Sequence, residues 1–313
     1  MEQFQTFILI ISAIALFIYG LQSFSREIQG IGADRLRRWI TGVTEKPLGG
    51  FFLGAFVTAI IQSSTLVSSL TVTFVDAAII SFRSSLQILL GANIGTTSTA
   101  WIVTFQSALF GPVFIVLGTL VSMIPARIAT LGRAIFYFGF IFFSLDLIGH
   151  AVEPLKTDPT VQALLMQATV PLLGILYGII VTVVVQSSSV VIGLCIVLVS
   201  QGIMTIDAAV PIVIGANVGT TSTAMLVSLK MSNNSRLSAM ANFGFNFTAM
   251  LLVFPLIGWF IGLLTRLSAE PPIQIAAATT LFSAFTSLLF LILLHPVHRL
   301  LTRHRWYDRP NPH

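Results

Sequence analysis

Hydrophobic residues run through this chain in long blocks, without the strict alternation of a half-buried strand. Apolar stretches at 6–28, 84–105, 108–125, 134–150, 206–229, 237–265 and 275–294 are each predicted to cross a bilayer core of about 30 Å once. Two further stretches, 47–75 and 170–199, are apolar at both ends and polar in the middle. QSST occupies 62–65 of the first and QSSS occupies 186–189 of the second. Their arms, such as 48–61 and 66–79, are too short to span comfortably at a rise of about 1.5 Å per residue. A turn at membrane depth is tolerated only where protein or a water-filled cavity surrounds it. Both stretches are therefore expected to be re-entrant helical hairpins, each entering and leaving on one side, with the polar clusters at their tips.

Two crossing segments carry a second polar signature, GANIGTTSTA at 91–100 and GANVGTTSTA at 215–224. Gly91, Asn93 and Gly95 in the first, and Gly215, Asn217 and Gly219 in the second, are expected to break their helices and expose carbonyls. Thr96, Thr97, Ser98 and Thr99, and Thr220, Thr221, Ser222 and Thr223, would restart the helix while presenting hydroxyls. Small-residue packing between helices is the competing explanation for the glycines. Gly54, Gly174 and Gly178, on the hairpin arms, would serve either close helix approach or hinge motion.

These signatures are duplicated. A shift of 124 residues lays TAIIQSSTLV, from Thr58, on TVVVQSSSVV, from Thr182, and also lays one GAN segment on the other without a gap. A weaker echo upstream places YGLQSFSREI, from Tyr19, on FGFIFFSLDLI, from Phe138, with Gly20 opposite Gly139 and Ser25 opposite Ser144. Three predicted crossings separate corresponding points, and an odd number inverts the second unit. The expected architecture is an all-α, polytopic membrane protein of inverted-topology repeats, with two re-entrant helical hairpins and two broken helices. Residues 1–125 form the first repeat, 126–236 the second, and 237–313 the C-terminal membrane helices with a basic cytoplasmic tail. Connectors 29–46 and 151–169 mix charged and apolar residues and are expected to lie as short interfacial helices.

Composition agrees with a lipid solvent: 55% of residues are hydrophobic and 9% charged, against about 25% charged in soluble domains. The excess of 16 Lys and Arg over 11 Asp and Glu records orientation rather than nucleic-acid binding. Under the topology above, 14 basic residues fall on one face and only Lys156 and Arg266 on the other. That places the amino terminus outside and the carboxyl terminus in the cytoplasm of a cell's inner (plasma) membrane. The first segment lacks a signal peptide's basic start and cleavage pattern and is expected to be retained. The single Cys195 excludes an intrachain disulfide and a cysteine-based metal site, so it is expected to be a small buried residue.

Inverted repeats interrupted by polar residues at matching positions point to a secondary transporter with its site near the midplane. At a hairpin tip the second arm begins, and its first amide N–H groups, lacking intrahelical partners, favour an anion. Gln62, Ser63, Ser64 and Thr65, with Gln186, Ser187, Ser188 and Ser189, would surround that anion. Asn93, Thr96, Thr97 and Ser98, with Asn217, Thr220, Thr221 and Ser222, offer neutral oxygens that suit sodium, either binding it or supporting the site. No arginine or lysine is expected near the site, so the anion's charge would be met by helix termini, hydroxyls and sodium. Asp76 and Asp146 are membrane-region acids with candidate functional roles, although a helix-end charge is the simpler explanation for each. Asp207 reads as a helix N-cap.

QSS[ST] followed by GAN[IV]GTT, present twice, resembles the type II sodium/phosphate cotransporter family over roughly residues 5–295. The resemblance implies transport of inorganic phosphate coupled to sodium, with the QSS residues around phosphate and neighbouring polar residues around sodium. It implies no cofactor beyond the coupling ions. QSST departs mildly from the family's usual QSSS, and neither the disulfide-bearing loop of animal members nor the soluble domain of some bacterial ones is expected here. Another oxyanion, phosphate export and an anion channel remain alternatives. A serine hydrolase does not fit: His150, His295, His298, His304 and His313 all fall at expected interfaces or in the tail, away from the serine clusters.

Overall fold

The computed structural model describes residues 2–43, 48–105, 109–124 and 127–302. Among them there is no strand. Helix α1 (Glu2–Val43) precedes a first hairpin of α2 (Gly49–Ile61) and α3 (Ser64–Asp76). Then come α4 (Phe82–Gly95), α5 (Thr97–Thr104), α6 (Phe110–Ser122) and α7 (Arg127–Val152). A 3-10 turn, Glu153–Thr157, and α8 (Pro159–Gln167) lead into a second hairpin of α9 (Pro171–Val185) and α10 (Ser188–Ser200). The chain continues through α11 (Ile206–Ser228), α12 (Asn233–Val253), α13 (Ile257–Leu267), α14 (Pro271–Ile292) and α15 (Leu294–Thr302).

Among the described residues, five segments are long and apolar enough to cross a membrane: Phe4–Gly30, Ile128–Thr157, Ile206–Ser228, Asn233–Leu267 and Pro271–Ile292. α8 and α9 together make a sixth candidate, bent by 103°. The crossings expected at 84–105 and 108–125 are shorter pieces. The first is divided between α4 and α5, and α6 has 13 residues, about 20 Å of helix. The separate interfacial helix expected at 29–46 is absent, since α1 continues unbroken to Val43. Its counterpart at 151–169 is present as the 3-10 turn and α8, whose amides Thr160 N and Val161 N donate to Asp158 Oδ1. Lys46 and the basic tail from Arg303 lie outside the described residues.

Each hairpin's first arm packs along the helix that carries a GAN segment, α2 on α4 and α9 on α11. The glycines make this approach possible. A Cβ on Gly54 would lie 2.1 Å from the Ile88 carbonyl oxygen, and one on Gly178 would lie 2.0 Å from that of Ile212. Reciprocally, a Cβ on Gly91 would meet the Phe51 oxygen at 1.9 Å and one on Gly215 the Ile175 oxygen at 2.1 Å. Every one of these positions maps onto its counterpart by the same shift of 124 residues.

Packing accounts for these glycines, and the expectation of two broken helices holds in the first repeat, where α4 ends at Gly95 and α5 starts at Thr97, and is corrected in the second. α11 runs uninterrupted through GANVGTT. In the first repeat the break is confined to Thr96, whose φ of −60° and ψ of −29° remain helical. The main core gathers Phe17, Leu145, Ile192, Ile196, Val213 and Phe282 from α1, α7, α10, α11 and α14. Phe52, Phe56, Val184, Trp259 and Ile292 point outward, as a lipid-facing surface requires.

Candidate functional site

Both hairpins turn the same way. Gln62 ends α2 and Gln186 ends α9, each with φ of 58° in the left-handed region. This single residue reverses the chain, after which an extended serine starts the next helix: Ser63 at φ −146° before α3 and Ser187 at φ −151° before α10. The arms α2, α3 and α10 have 13 residues and α9 has 15. None matches the roughly 20 residues that a spanning helix needs.

The two tips meet. Thr65 Oγ1 donates to the main-chain oxygen of Gln186 at 3.2 Å, and all eight residues 62–65 and 186–189 line one cavity of about 500 Å³. The sequence thus located the cluster, and the fold brings its two halves, 124 residues apart, into one place. α1 completes the wall with Gln22, Ser25, Arg26 and Gln29. These four were missed by the motif search, and the absence of arginine from the site was wrongly expected. The signal was available in the upstream echo, because Ser25 and its repeat partner Ser144 belong to the segment that precedes each hairpin.

The second hairpin offers the helix start that no side chain caps. Ser63 Oγ accepts from Leu66 N at 3.3 Å and so caps α3, whereas Ser187 makes no side-chain cap on α10. Ser188 and Ser189 are buried at the start of α10, where unpaired amides and the positive end of the helix dipole favour an anion.

The GAN residues stand behind the tips rather than on the cavity wall. In the first repeat Gln62 Nε2 donates to Ser98 Oγ at 2.8 Å and also to the Ala59 carbonyl, while Thr99 Oγ1 donates to Gln62 Oε1 at 2.7 Å. The tip glutamine is therefore latched to the start of α5. The equivalent hydroxyls of the second repeat, Ser222 Oγ and Thr223 Oγ1, are buried without any hydrogen-bond partner. Thr58 and Thr182, equivalent to each other and fully buried, also have unpartnered hydroxyls.

Most of the remaining candidates donate to carbonyls three or four residues earlier. Thr96 and Thr97 donate to the Ala92 and Ile94 carbonyls, Ser98 to Gly95, and Thr220 and Thr221 to Ala216 and Val218. Asn217 Nδ2 reaches Val213 O at 2.9 Å, and Asn93 Nδ2 faces Asn242 Oδ1 at 3.4 Å. A hydroxyl that donates to a carbonyl keeps its own lone pairs for a cation, so these bonds do not consume the coordinating oxygens.

Asp76 has a structural task. Its Oδ1 accepts from Ser232 N at 2.6 Å, tying the end of α3 to the start of α12. Asp146 lies beside His150, with Oδ2 3.7 Å from Nδ1. Cys195 is buried in α10 as expected.

Together these features define a polytopic helical membrane protein of transport type, in which two short hairpins close on a polar cavity. The chain belongs to the Na+/Pi-cotransporter family, whose model matches it twice, over residues 16–150 and 151–292. This is a family of transporters, not enzymes. The chain is 28% identical over 291 residues to a Bacillus subtilis (strain 168) protein, YqeW, which is uncharacterized; the match covers 92% of this chain and 94% of that one. It is 29% identical over 294 residues to an Escherichia coli (strain K12) protein named "Putative inorganic phosphate export protein YjbB", covering 93% of this chain and 53% of the relative. The human sodium-dependent phosphate transport protein 2B shares 38% identity over 104 residues, 32% of this chain and 15% of that one. No solved structure matches the chain.

Proposed function

We propose that this protein is a sodium-coupled transporter of inorganic phosphate, working by alternating access with phosphate held between the two hairpin tips. The observation that carries the reading is the convergence of QSST and QSSS on one cavity, joined by the bond from Thr65 to Gln186. Phosphate would sit against the open start of α10, receiving bonds from its first amides and from Ser188, with Ser64 opposite. Gln62, Ser63, Thr65, Gln186, Ser187 and Ser189 would complete the polar surround.

Sodium fits the second repeat. Ser222, Thr223 and Thr182 supply buried hydroxyl oxygens without partners, and neutral oxygens on buried helices are suited to that ion. Bound there, sodium would offset the electrostatic cost of holding an anion in a low-dielectric site. Asn217, Thr220 and Thr221, with Asn93, Thr96, Thr97 and Ser98 in the first repeat, would coordinate it or support the site. Alternating access would follow from rocking of one inverted repeat against the other around the tips. The two halves would be 1–125 and 126–236, in an inner (plasma) membrane with the amino terminus outside.

Export is a second reading, favoured by the name of the E. coli relative that aligns over 93% of this chain. The decisive experiment is radiolabelled phosphate flux in proteoliposomes under an imposed sodium gradient. Accumulation that needs inward sodium supports symport. Equal flux in sodium and choline media would sink the coupling, and phosphate leaving against its gradient would establish export.

A further inference from the structure

The described part of the cavity wall carries a positive charge. Among the described residues that line it, Arg26 is the only ionisable one, and no carboxylate accompanies it there. Its Nε makes a long bond, 3.4 Å, to the Gln22 carbonyl one turn earlier. The acid beside it in sequence is already engaged, because Glu27 receives Arg133 Nε at 3.0 Å on both carboxylate oxygens. Arg26 has no carboxylate partner among the described residues. Beside it, Gln29 Nε2 donates to Ser25 Oγ at 2.9 Å, and both residues line the same cavity. The second repeat has no matching cation: when Ser25 is laid on Ser144, Arg26 falls opposite Leu145, which is buried in the core.

We propose that Arg26 recruits the anion into the cavity and sets its affinity on the face to which the cavity opens. An unpaired guanidinium on the wall of a cleft with low-dielectric sides focuses its field on the opening and raises the local concentration of an anion. It also supplies a positive charge for anion entry that hydroxyls and amides lack. The charge belongs to one repeat, so the opposite-facing cavity would lack it. The inference rests on the phosphate reading of the tips.

Its test is equilibrium binding of inorganic phosphate to the purified full chain at fixed sodium, with ionic strength varied by choline chloride. Arg26→Gln should weaken binding about tenfold at low ionic strength, within the range of electrostatic steering. The gap should close as salt shortens the Debye length from about 30 Å at 0.01 M to about 8 Å at 0.15 M. Arg26→Lys should retain most of the affinity, and Arg26→Glu should lose more than the glutamine variant. A weakening in Arg26→Gln that ignores salt would mean a structural role and overturn the proposal, as would unchanged affinity. In the latter case Ser188→Ala separates the two ideas: its loss of binding would leave phosphate at the tips and remove only Arg26. Absence of phosphate binding to the unaltered protein would overturn both.

Discussion

The hydroxyl of Thr65, on the first hairpin, donates to the main-chain oxygen of Gln186, on the second, at 3.2 Å. Gln186 is also the residue whose left-handed backbone reverses the second hairpin. One hydrogen bond thus joins the turning points of two segments 121 residues apart. A rocking motion that separates the tips must break it.

Thr65→Val removes the hydroxyl and keeps the shape. A neutral hydrogen bond contributes about 1 kcal/mol net, so the balance between tip-joined and tip-parted states should move about fivefold. The phosphate KM or the turnover rate should shift accordingly, while Thr65→Ser stays near the unaltered protein. Identical kinetics for the valine variant would show that the contact has no part in the cycle.

The two tip glutamines are expected to behave differently despite their shared motif. Gln62→Ala loses its bonds to Ala59, Ser98 and Thr99 and leaves the Thr99 hydroxyl without its acceptor, a cost of about 1–3 kcal/mol. Thermal unfolding in detergent should read this as a clear drop in Tm. Gln186→Ala gives up no such latch, so its Tm should hold while the phosphate concentration for half-maximal flux rises. Equal drops in Tm would contradict the asymmetry.

How much of this was legible from sequence depends on which force acts at each residue. QSST and QSSS were readable as tips because polarity in an apolar run needs a protein-lined pocket, and duplication at a fixed offset marked them as a matched pair. The break expected in the second repeat was misread because glycine signals both an unwound turn and a close approach. Only the coordinates reveal that Gly215 faces the Ile175 carbonyl across a continuous α11. Arg26 escaped because a charge near a helix end reads first as a topology marker, and nothing local says that α1 runs on past it to Val43. The latch between Gln62 and Thr99 joins residues 37 apart, and its absence from the second repeat is a difference that near-identical sequences do not carry.

The packing glycines give a paired test. Gly54→Ala and Gly178→Ala each place a methyl group about 2 Å from a carbonyl oxygen, well inside contact distance, and overpacking of this kind costs about 1–3 kcal/mol or more. Both should lower Tm by similar amounts, since the two contacts are repeat equivalents. Gly244→Ala, with nothing within 4 Å of the added carbon, should leave Tm unchanged or raise it slightly. Hinge glycines would instead leave Tm nearly constant and slow turnover.

Asp76 is expected to matter for assembly rather than for ion coupling. Asp76→Asn weakens the charge-assisted bond to Ser232 N, which contributes about 1.5–3 kcal/mol for a charged acceptor. The variant should melt earlier yet keep its sodium dependence. A changed sodium-to-phosphate coupling ratio with an unchanged Tm would return Asp76 to the ion pathway.

The central claim is that phosphate rests at the start of α10 between the two tips and that sodium enables it to stay. Its most direct measurement is the phosphate dissociation constant of the unaltered protein, Ser64→Ala and Ser188→Ala, each in sodium and in choline medium at equal ionic strength. The account predicts tight binding only in sodium, and a weakening of about tenfold in Ser188→Ala, the cost of about 1.4 kcal/mol for one lost bond to a charged group. Ser64→Ala, on the capped side of the cavity, should weaken binding less. Equal affinity in both media, with both variants indistinguishable from the unaltered protein, would contradict it.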